Sequence, residues 1–182
     1  MNSKRQTLIE TALTLFYRNS IHSIGINEIL SVSGIAKKTL YHHFAGKEAL
    51  ALATLEARNQ RFLQWLTNLL DGAKNDHDVI DKLFHGLNDW FHDKVPELDS
   101  FRGCFFINTC AEFSDEDCAI SQYCRQHKEQ VRHLIQQALS NQDASFVDLI
   151  CLLKEGAISS AYVSQDREAA LKCIPMLKAV AH

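Results

Sequence analysis

The sequence predicts an all-helical protein, a small three-helix head joined to a larger helical body. Three observations carry this expectation. Apolar residues recur at three- and four-residue spacing along most of the chain. Glycine and proline are scarce, 7 and 2 of 182 residues, which is poor material for a turn-rich β protein. Near the start, two short apolar patterns flank one glycine, as two helices joined by a tight turn would.

Residues 3–18 place Ile9, Ala12, Leu13 and Phe16 at i, i+3, i+4 and i+7, an amphipathic first helix, with Lys4 and Arg5 where a phosphate backbone is within reach. Gly25 is a tolerable N-cap for the second helix, with Glu28 three residues on as half of a capping box. Ile26, Ile29 and Leu30 form its face. Ser33-Gly34 ends it, because glycine takes the left-handed conformation at no steric cost, and Ile35 re-enters the core. In the third helix Leu40 and Phe44 point the same way and pin it to Ile29 and Ile35. Its other faces carry Lys37, Lys38, Thr39, Tyr41 and His42. Such cations, hydroxyls and imidazoles reach phosphates and base edges when a recognition helix enters the major groove, so the expected partner is duplex DNA. The charge distribution agrees. Residues 1–48 hold six Lys/Arg against three Glu, whereas the rest holds 13 against 19 acidic residues, a basic head on an acidic body.

The segment Ile29, Ser33-Gly34-Ile35, Thr39-Leu40-Tyr41-His42-His43-Phe44 and Lys47-Glu48 resembles the DNA-binding segment of the TetR family of bacterial transcriptional regulators. The resemblance covers about the first quarter of the chain. It implies a helix-turn-helix domain over residues 1–46 and a ligand-binding and dimerisation domain over residues 47–182. One departure is Ala36, where the family usually has a capping serine or threonine. An orphan backbone N–H at that helix start is left for water or a phosphate. Further on, Gly103-Cys104-Phe105-Phe106-Ile107-Asn108 and Glu112 are similar to a stretch in one broad subgroup of the family.

The body opens with Leu50, Leu52, Leu55, Phe62, Leu66, Leu69 and Leu70, one helix over 47–70 with no breaker before Asp71-Gly72. A rod that starts beside the recognition helix can carry a displacement into the head. Lys47 at its N-terminus is placed to meet a phosphate together with the free N–H groups there. Residues 77–94 give the apolar face Ile80, Phe84, Leu87 and Phe91. His85, Asp89 and His92 fall opposite it and read as a solvated face rather than metal ligands. Val95-Pro96 breaks that helix, and another is expected from Gly103 to Phe113. Residues 116–139 put Ile120, Cys124, His127, Val131, Leu134 and Ala138 on one face, with His127 inward. In residues 143–163, Phe146, Ile150, Leu153 and Ala157 form one stripe, and Leu149, Leu152, Gly156 and Ser160 a second, flatter one. Two stripes imply two partners, the core and a second chain, so a homodimer through residues 145–181 is expected. The last helix, 166–180, has Ala170, Ile174, Leu177 and Ala181 inward, with Pro175 expected to kink or shorten it.

No apolar run approaches a membrane span and MNSKRQTLIE lacks a signal-peptide core, so the expected location is the cytoplasm, with no membrane partner. Six cysteines without a Cys-x-x-Cys pair read as reduced thiols, four of them between 104 and 124. Cys104, after a glycine at a helix start, is the one to consider for sensing. Catalytic and metal residues are expected to be absent, and no cofactor is expected. The aromatics Phe62, Trp65, Phe84, Trp90, Phe105 and Tyr123, with Asn108, Glu112 and His127 as polar groups, form the expected pocket for an apolar or aromatic small molecule. The function that follows is a ligand-responsive regulator, in the first instance a repressor, on a palindromic operator. Its rival is an all-helical enzyme or cofactor-binding bundle with Cys104 or Cys124 as nucleophile beside His127. That reading finds no di-iron, zinc or phosphate-loop signature to support it.

Overall fold

A computed structural model of the chain describes residues 3–113, 115–141 and 143–181, and among them every regular element is helical. The order is α1 (Lys4–Asn19), α2 (Ile26–Ser33), α3 (Lys37–His43), α4 (Lys47–Leu70), α5 (Asp76–Phe91), a 3₁₀ turn (Pro96–Leu98), α6 (Phe105–Glu112), α7 (Ala119–Ala138), α8 (Ala144–Val163) and α9 (Ala169–Lys178). Local chemistry starts several of these. The side chains of Ser3, Asn75 and Asp143 accept the backbone N–H of Gln6, Asp78 and Phe146 at 3.2, 2.9 and 3.1 Å. Each such cap contributes about 1 kcal/mol.

Four details differ from the sequence reading. α6 begins at Phe105 rather than Gly103, because Gly103 has φ +77° and cannot be its first turn. α9 covers Ala169–Lys178 instead of 166–180, with Pro175, which has no N–H to give Leu171, inside it. On α7 the inward line after Val131 runs to Ile135 and Leu139, not to Leu134 and Ala138. A 3.6-residue period drifts off a seven-residue repeat, so an added four-residue step keeps the stripe facing the core. On α8 the buried line passes Phe146, Val147, Ile150, Lys154, Ala157, Ile158 and Ala161, with Lys154 taking the place foreseen for Leu153.

The chain forms two compact units that do not follow a single cut. One is Met1–Gln60 with Phe105–His127, the other Arg61–Cys104 with Lys128–His182. In the first, α1 packs across α2 and α3, burying Leu8, Leu13 and Phe16 with Ile29 and Leu40. Each such side chain contributes about 1.5–3 kcal/mol by leaving water. In the second, α5, α8 and α9 pack on one another around Ile80, Phe84, Leu87, Ile150 and Leu177. Lys178 pairs with Asp81 at 2.5 Å, and the buried carboxylate of Asp76 accepts the N–H groups of Ser140 and Asn141 at 2.6 and 3.0 Å. α4 meets α5 closely at Gly86, where an added Cβ would lie 2.5 Å from Leu69 Cδ2. Gly86→Val should therefore lower unfolding free energy by about 1–3 kcal/mol in a denaturant titration, the usual cost of overpacking. An unchanged midpoint would show that Leu69 yields freely.

Candidate functional site

The head presents a polar surface because its apolar residues are used inward. Leu40 and Phe44 are buried, so the spacing of α3 leaves Lys37, Lys38, Tyr41, His42 and His43 exposed and Thr39 half-buried. Gly34, at φ +67°, ends α2, and its N–H returns to the Leu30 carbonyl. α3 starts at Ala36 with no side-chain cap, so its first N–H groups face solvent with no hydroxyl to receive them. Arg5 lies over the Phe44 ring at 5.3 Å, which fastens the end of α3 to α1. Lys47 donates to the His22 carbonyl at 3.3 Å, so reaching a phosphate would require it to leave that bond.

Behind this surface sits Glu112, the last residue of α6. Its carboxylate accepts the backbone N–H of Ile21 at 3.0 Å and of His22 at 2.6 Å, in the loop between α1 and α2. The next residue, Phe113, places its ring 4.8 Å from that of His22. Nearby is a half-open cavity of about 260 Å³, lined by Glu48, Ala49 and Leu52 of α4 and by Phe113, Cys118, Ala119 and Ile120. None of the residues expected to bind a ligand lines this cavity; Glu112 precedes Phe113 in sequence, and its oxygens are engaged by the loop.

The remaining expected ligand residues form a cluster in each compact unit. In the first, Phe106 stacks on His127 at 3.5 Å and 9°, while Phe105 meets Tyr17 edge-on at 5.8 Å. Asn59 Oδ1 lies 2.7 Å from His127 Nδ1, and Asn59 Nδ2 donates to the Tyr123 hydroxyl at 3.3 Å. Asn108 is half-buried on α6. Sequence reasoning did not find Arg58, buried with its guanidinium 4.7 Å from the Tyr17 ring centroid, or Thr109, whose buried hydroxyl has no partner among the described residues. In the second unit Phe62 meets Trp65 at 5.2 Å and Trp90 at 5.9 Å, Trp90 meets Phe101 at 5.0 Å, and Phe84 is fully buried. His85 and Asp89 are exposed, and His92 faces Glu168 at 3.3 Å.

A charged cluster surrounds one thiol. Cys104 is 8% exposed, and the Lys128 ammonium donates to its sulfur at 3.3 Å and to both Glu155 oxygens at 2.8 Å. Lys154, 3% exposed, also pairs with Glu155. Burial pushes the Lys128 ammonium down, but Cys104 and Glu155 outweigh it and hold the group above the usual lysine range. Burial likewise pushes the Glu155 carboxyl up, and Lys154 with Lys128 brings it below the ordinary carboxylate range. The stability from Glu155 is therefore present above its unfolded value and lost as pH falls through its folded value. That from Lys128 is present below its unfolded value and lost as pH rises through its folded one. Glu155→Gln should accordingly flatten the acid side of a melting-temperature profile against pH. An acid limb as steep as the parent's would show that other carboxylates set it. Burial raises the Cys151 and Cys173 thiols, which keeps both protonated.

α8 and α9 carry apolar residues that no described residue covers. Leu152, Val163 and Met176 are 71%, 75% and 60% exposed, and Leu149 and Val180 are exposed as well. Gly156 lies on the Leu149–Leu152 stripe, and no atom comes within 4 Å of a Cβ built there.

An all-helical chain with this head, ending in an uncapped and polar third helix, has the architecture of a helix-turn-helix regulator. Residues 8–54 match the family described as bacterial regulatory proteins, tetR family. The chain is 31% identical over 88 residues to the transcriptional repressor KstR2 of Mycobacterium tuberculosis, a match spanning 46% of this chain and 42% of that repressor. It superposes on SCO4454, a TetR-family regulator of Streptomyces coelicolor, with a TM-score of 0.85 at 24% identity, covering 99% of this chain and 89% of the other. A cysteine variant of the TetR-family regulator CifR, solved with a 26-base-pair operator duplex, gives a TM-score of 0.77 at 17% identity, covering 96% and 95%. The N-terminal segment, residues 8–54, is thus that of the TetR family, and the fold of the whole chain is shared with solved regulators of that family. Among the described residues no helix is long and apolar enough to cross a membrane.

Proposed function

We propose that the protein is a ligand-responsive transcriptional repressor that binds a palindromic operator as a homodimer and leaves it when a small apolar effector binds. The observation that carries this reading is the outer face of α3, which keeps Lys37, Lys38, Tyr41 and His42 in solvent while Leu40 and Phe44 hold the helix to the core. Contact with DNA is assigned to residues 1–46, through Lys37, Lys38, Thr39, Tyr41 and His42, together with Lys47 just beyond them at the start of α4. Effector binding and dimerisation are assigned to residues 47–182. The uncapped N–H groups at the start of α3 suit a phosphate oxygen, and the operator complex of CifR is a precedent for the fold.

Dimerisation is assigned to residues 145–181 because the exposed apolar stripe of α8 and α9 lies there. A two-fold axis would present two α3 helices to successive major grooves about 34–36 Å apart. The effector is assigned to the aromatic clusters of Phe62, Trp65, Phe84 and Trp90, and of Phe105, Asn108, Tyr123 and His127. It acts only through its preference for the DNA-free state, and a coupling of about 1–3 kcal/mol lowers operator affinity some 5- to 150-fold.

Selection of bound duplexes from a random pool tests the reading. Recovery of one palindromic sequence is the expected result, and recovery of no sequence preference would remove it. Cys104 has the Lys128 ammonium group on its sulfur. If oxidation controls release, a Cys104→Ser protein is expected to keep its duplex under peroxide while the parent lets go, and equal release from both would exclude Cys104 as the sensor.

A further inference from the structure

We infer that Glu112 is a positioning residue for the DNA-binding head, and that α6 reaches the recognition helix through it. The inference rests on the reading of α3 as the DNA-contacting helix and adds the route by which that helix is regulated.

α1 ends at Ser20, whose φ of +82° turns the chain away. Ile21 and His22 then run toward α2 with backbone N–H groups that no helix satisfies. Both are received by one carboxylate, Glu112, at 3.0 and 2.6 Å, across about half the length of the chain. Ile21 is itself buried, so without Glu112 its N–H would be left unpaired in an apolar setting. A carboxylate receiving two adjacent N–H groups fixes direction as well as distance, so the orientation of this loop follows the last turn of α6. Three further contacts converge on the same loop. The His22 ring meets Phe113, its Nδ1 lies 3.7 Å from Glu112 Oε2, and its carbonyl receives Lys47, the first residue of α4 and only four residues beyond α3. The loop is thus tied on one side to α6 and on the other to the start of α4.

The opposite end of α6 carries Phe105 and Phe106, which pack on Tyr17 and His127, with Asn108 half-buried between the ends. α6 is only eight residues long, and a short helix held by its own backbone hydrogen bonds transmits a displacement from one end to the other. A shift imposed at Phe105, Phe106 or Asn108 therefore appears at Glu112 as a shift of the Ile21 and His22 amides. There is room for it, because the Phe113 side chain that touches His22 also lines the 260 Å³ cavity. Coupling then runs from α6 through the loop to α2 and α3.

Amide hydrogen exchange on the full chain tests this, with the duplex recovered from the random pool as the probe. In the free protein, Glu112→Ala should raise exchange at Ile21 and His22 at least about tenfold, since two charge-assisted bonds are lost. Its affinity for the duplex should fall about tenfold with the salt slope unchanged, because no phosphate contact is removed. Adding duplex to the parent should slow exchange in residues 109–112 as well as in the head, and in Glu112→Ala it should slow the head alone. Glu112→Gln keeps the size of the side chain and one acceptor oxygen, so it should fall between the two, and it carries the test if the alanine variant does not fold. Unchanged exchange at Ile21 and His22 would remove the clamp. Raised exchange there, with duplex affinity and protection of residues 109–112 as in the parent, would leave a structural bond without coupling and overturn the inference. If the parent selects no duplex, the DNA reading fails, while exchange at Ile21 and His22 in the free protein still decides the clamp.

Discussion

Replacing both Lys37 and Lys38 by alanine should lower affinity for the selected duplex on the order of 10³-fold, without loss of fold. Both side chains are exposed on α3, and neither supports the buried residues Leu40 and Phe44, so the helix and its packing remain. The effect is large because a homodimer presents each lysine twice. If all four ammonium groups neutralise phosphates, the slope of log affinity against log salt flattens by about 3.6 units, roughly 0.9 for each phosphate released. If one of the pair reads a base edge, the slope changes less, and preference relaxes at the matching position of the palindrome. Binding titrations at several salt concentrations, with the selected duplex and a scrambled one, separate these cases. A double variant that binds with the parent's affinity and salt slope would take α3 out of the interface.

Leu152→Glu should turn a micromolar dimer into a monomer. In the single chain Leu152 is mostly in solvent, so the substitution costs the monomer little, within about 0.5 kcal/mol. In the proposed interface it places two carboxylates, related by the two-fold axis, against an apolar surface with no counter-charge, and burial of an unpaired charge is strongly unfavourable. Gly156→Leu is the complementary test. Space around Gly156 is open within the chain, and a helical leucine is favoured over glycine by about 0.8–1 kcal/mol or slightly less, so the monomer should become more stable while the dimer is pushed apart. Sedimentation of the parent and both variants at micromolar concentration reads the outcome. A monomeric parent would rule out the arrangement, and dimeric variants would move the interface elsewhere. Monomeric variants should also lose most of their affinity for the palindrome, because the second head is then no longer held at high effective concentration beside its half-site.

What the sequence determined by itself is local. Apolar spacing fixed which helices form and which way α3 turns, because side chains three and four apart share a face whatever lies opposite. Ser33-Gly34 and Asp71-Gly72 marked ends that the structure keeps, since the conformational freedom of glycine is a property of a single residue, whereas α5 already ends at Phe91, ahead of Val95-Pro96. The exposed stripe of Leu149, Leu152 and Gly156 was legible for the same reason. The tertiary structure decided the partners. Glu112 sits on α6 where helical spacing put it, but that its carboxylate would hold the N–H groups of Ile21 and His22 depends on residues about 90 positions away. The pairing of His127 with Asn59 spans 68 positions, and Lys154 is buried because Glu155 pairs with it while Lys128 reaches the same carboxylate from α7. The division into two compact units was not legible either, since α4 and α7 each contribute residues to both. A helical pattern states which face turns inward. Which polar group it meets there is set by how distant segments come together, and a buried charge persists only where that meeting supplies its counter-charge.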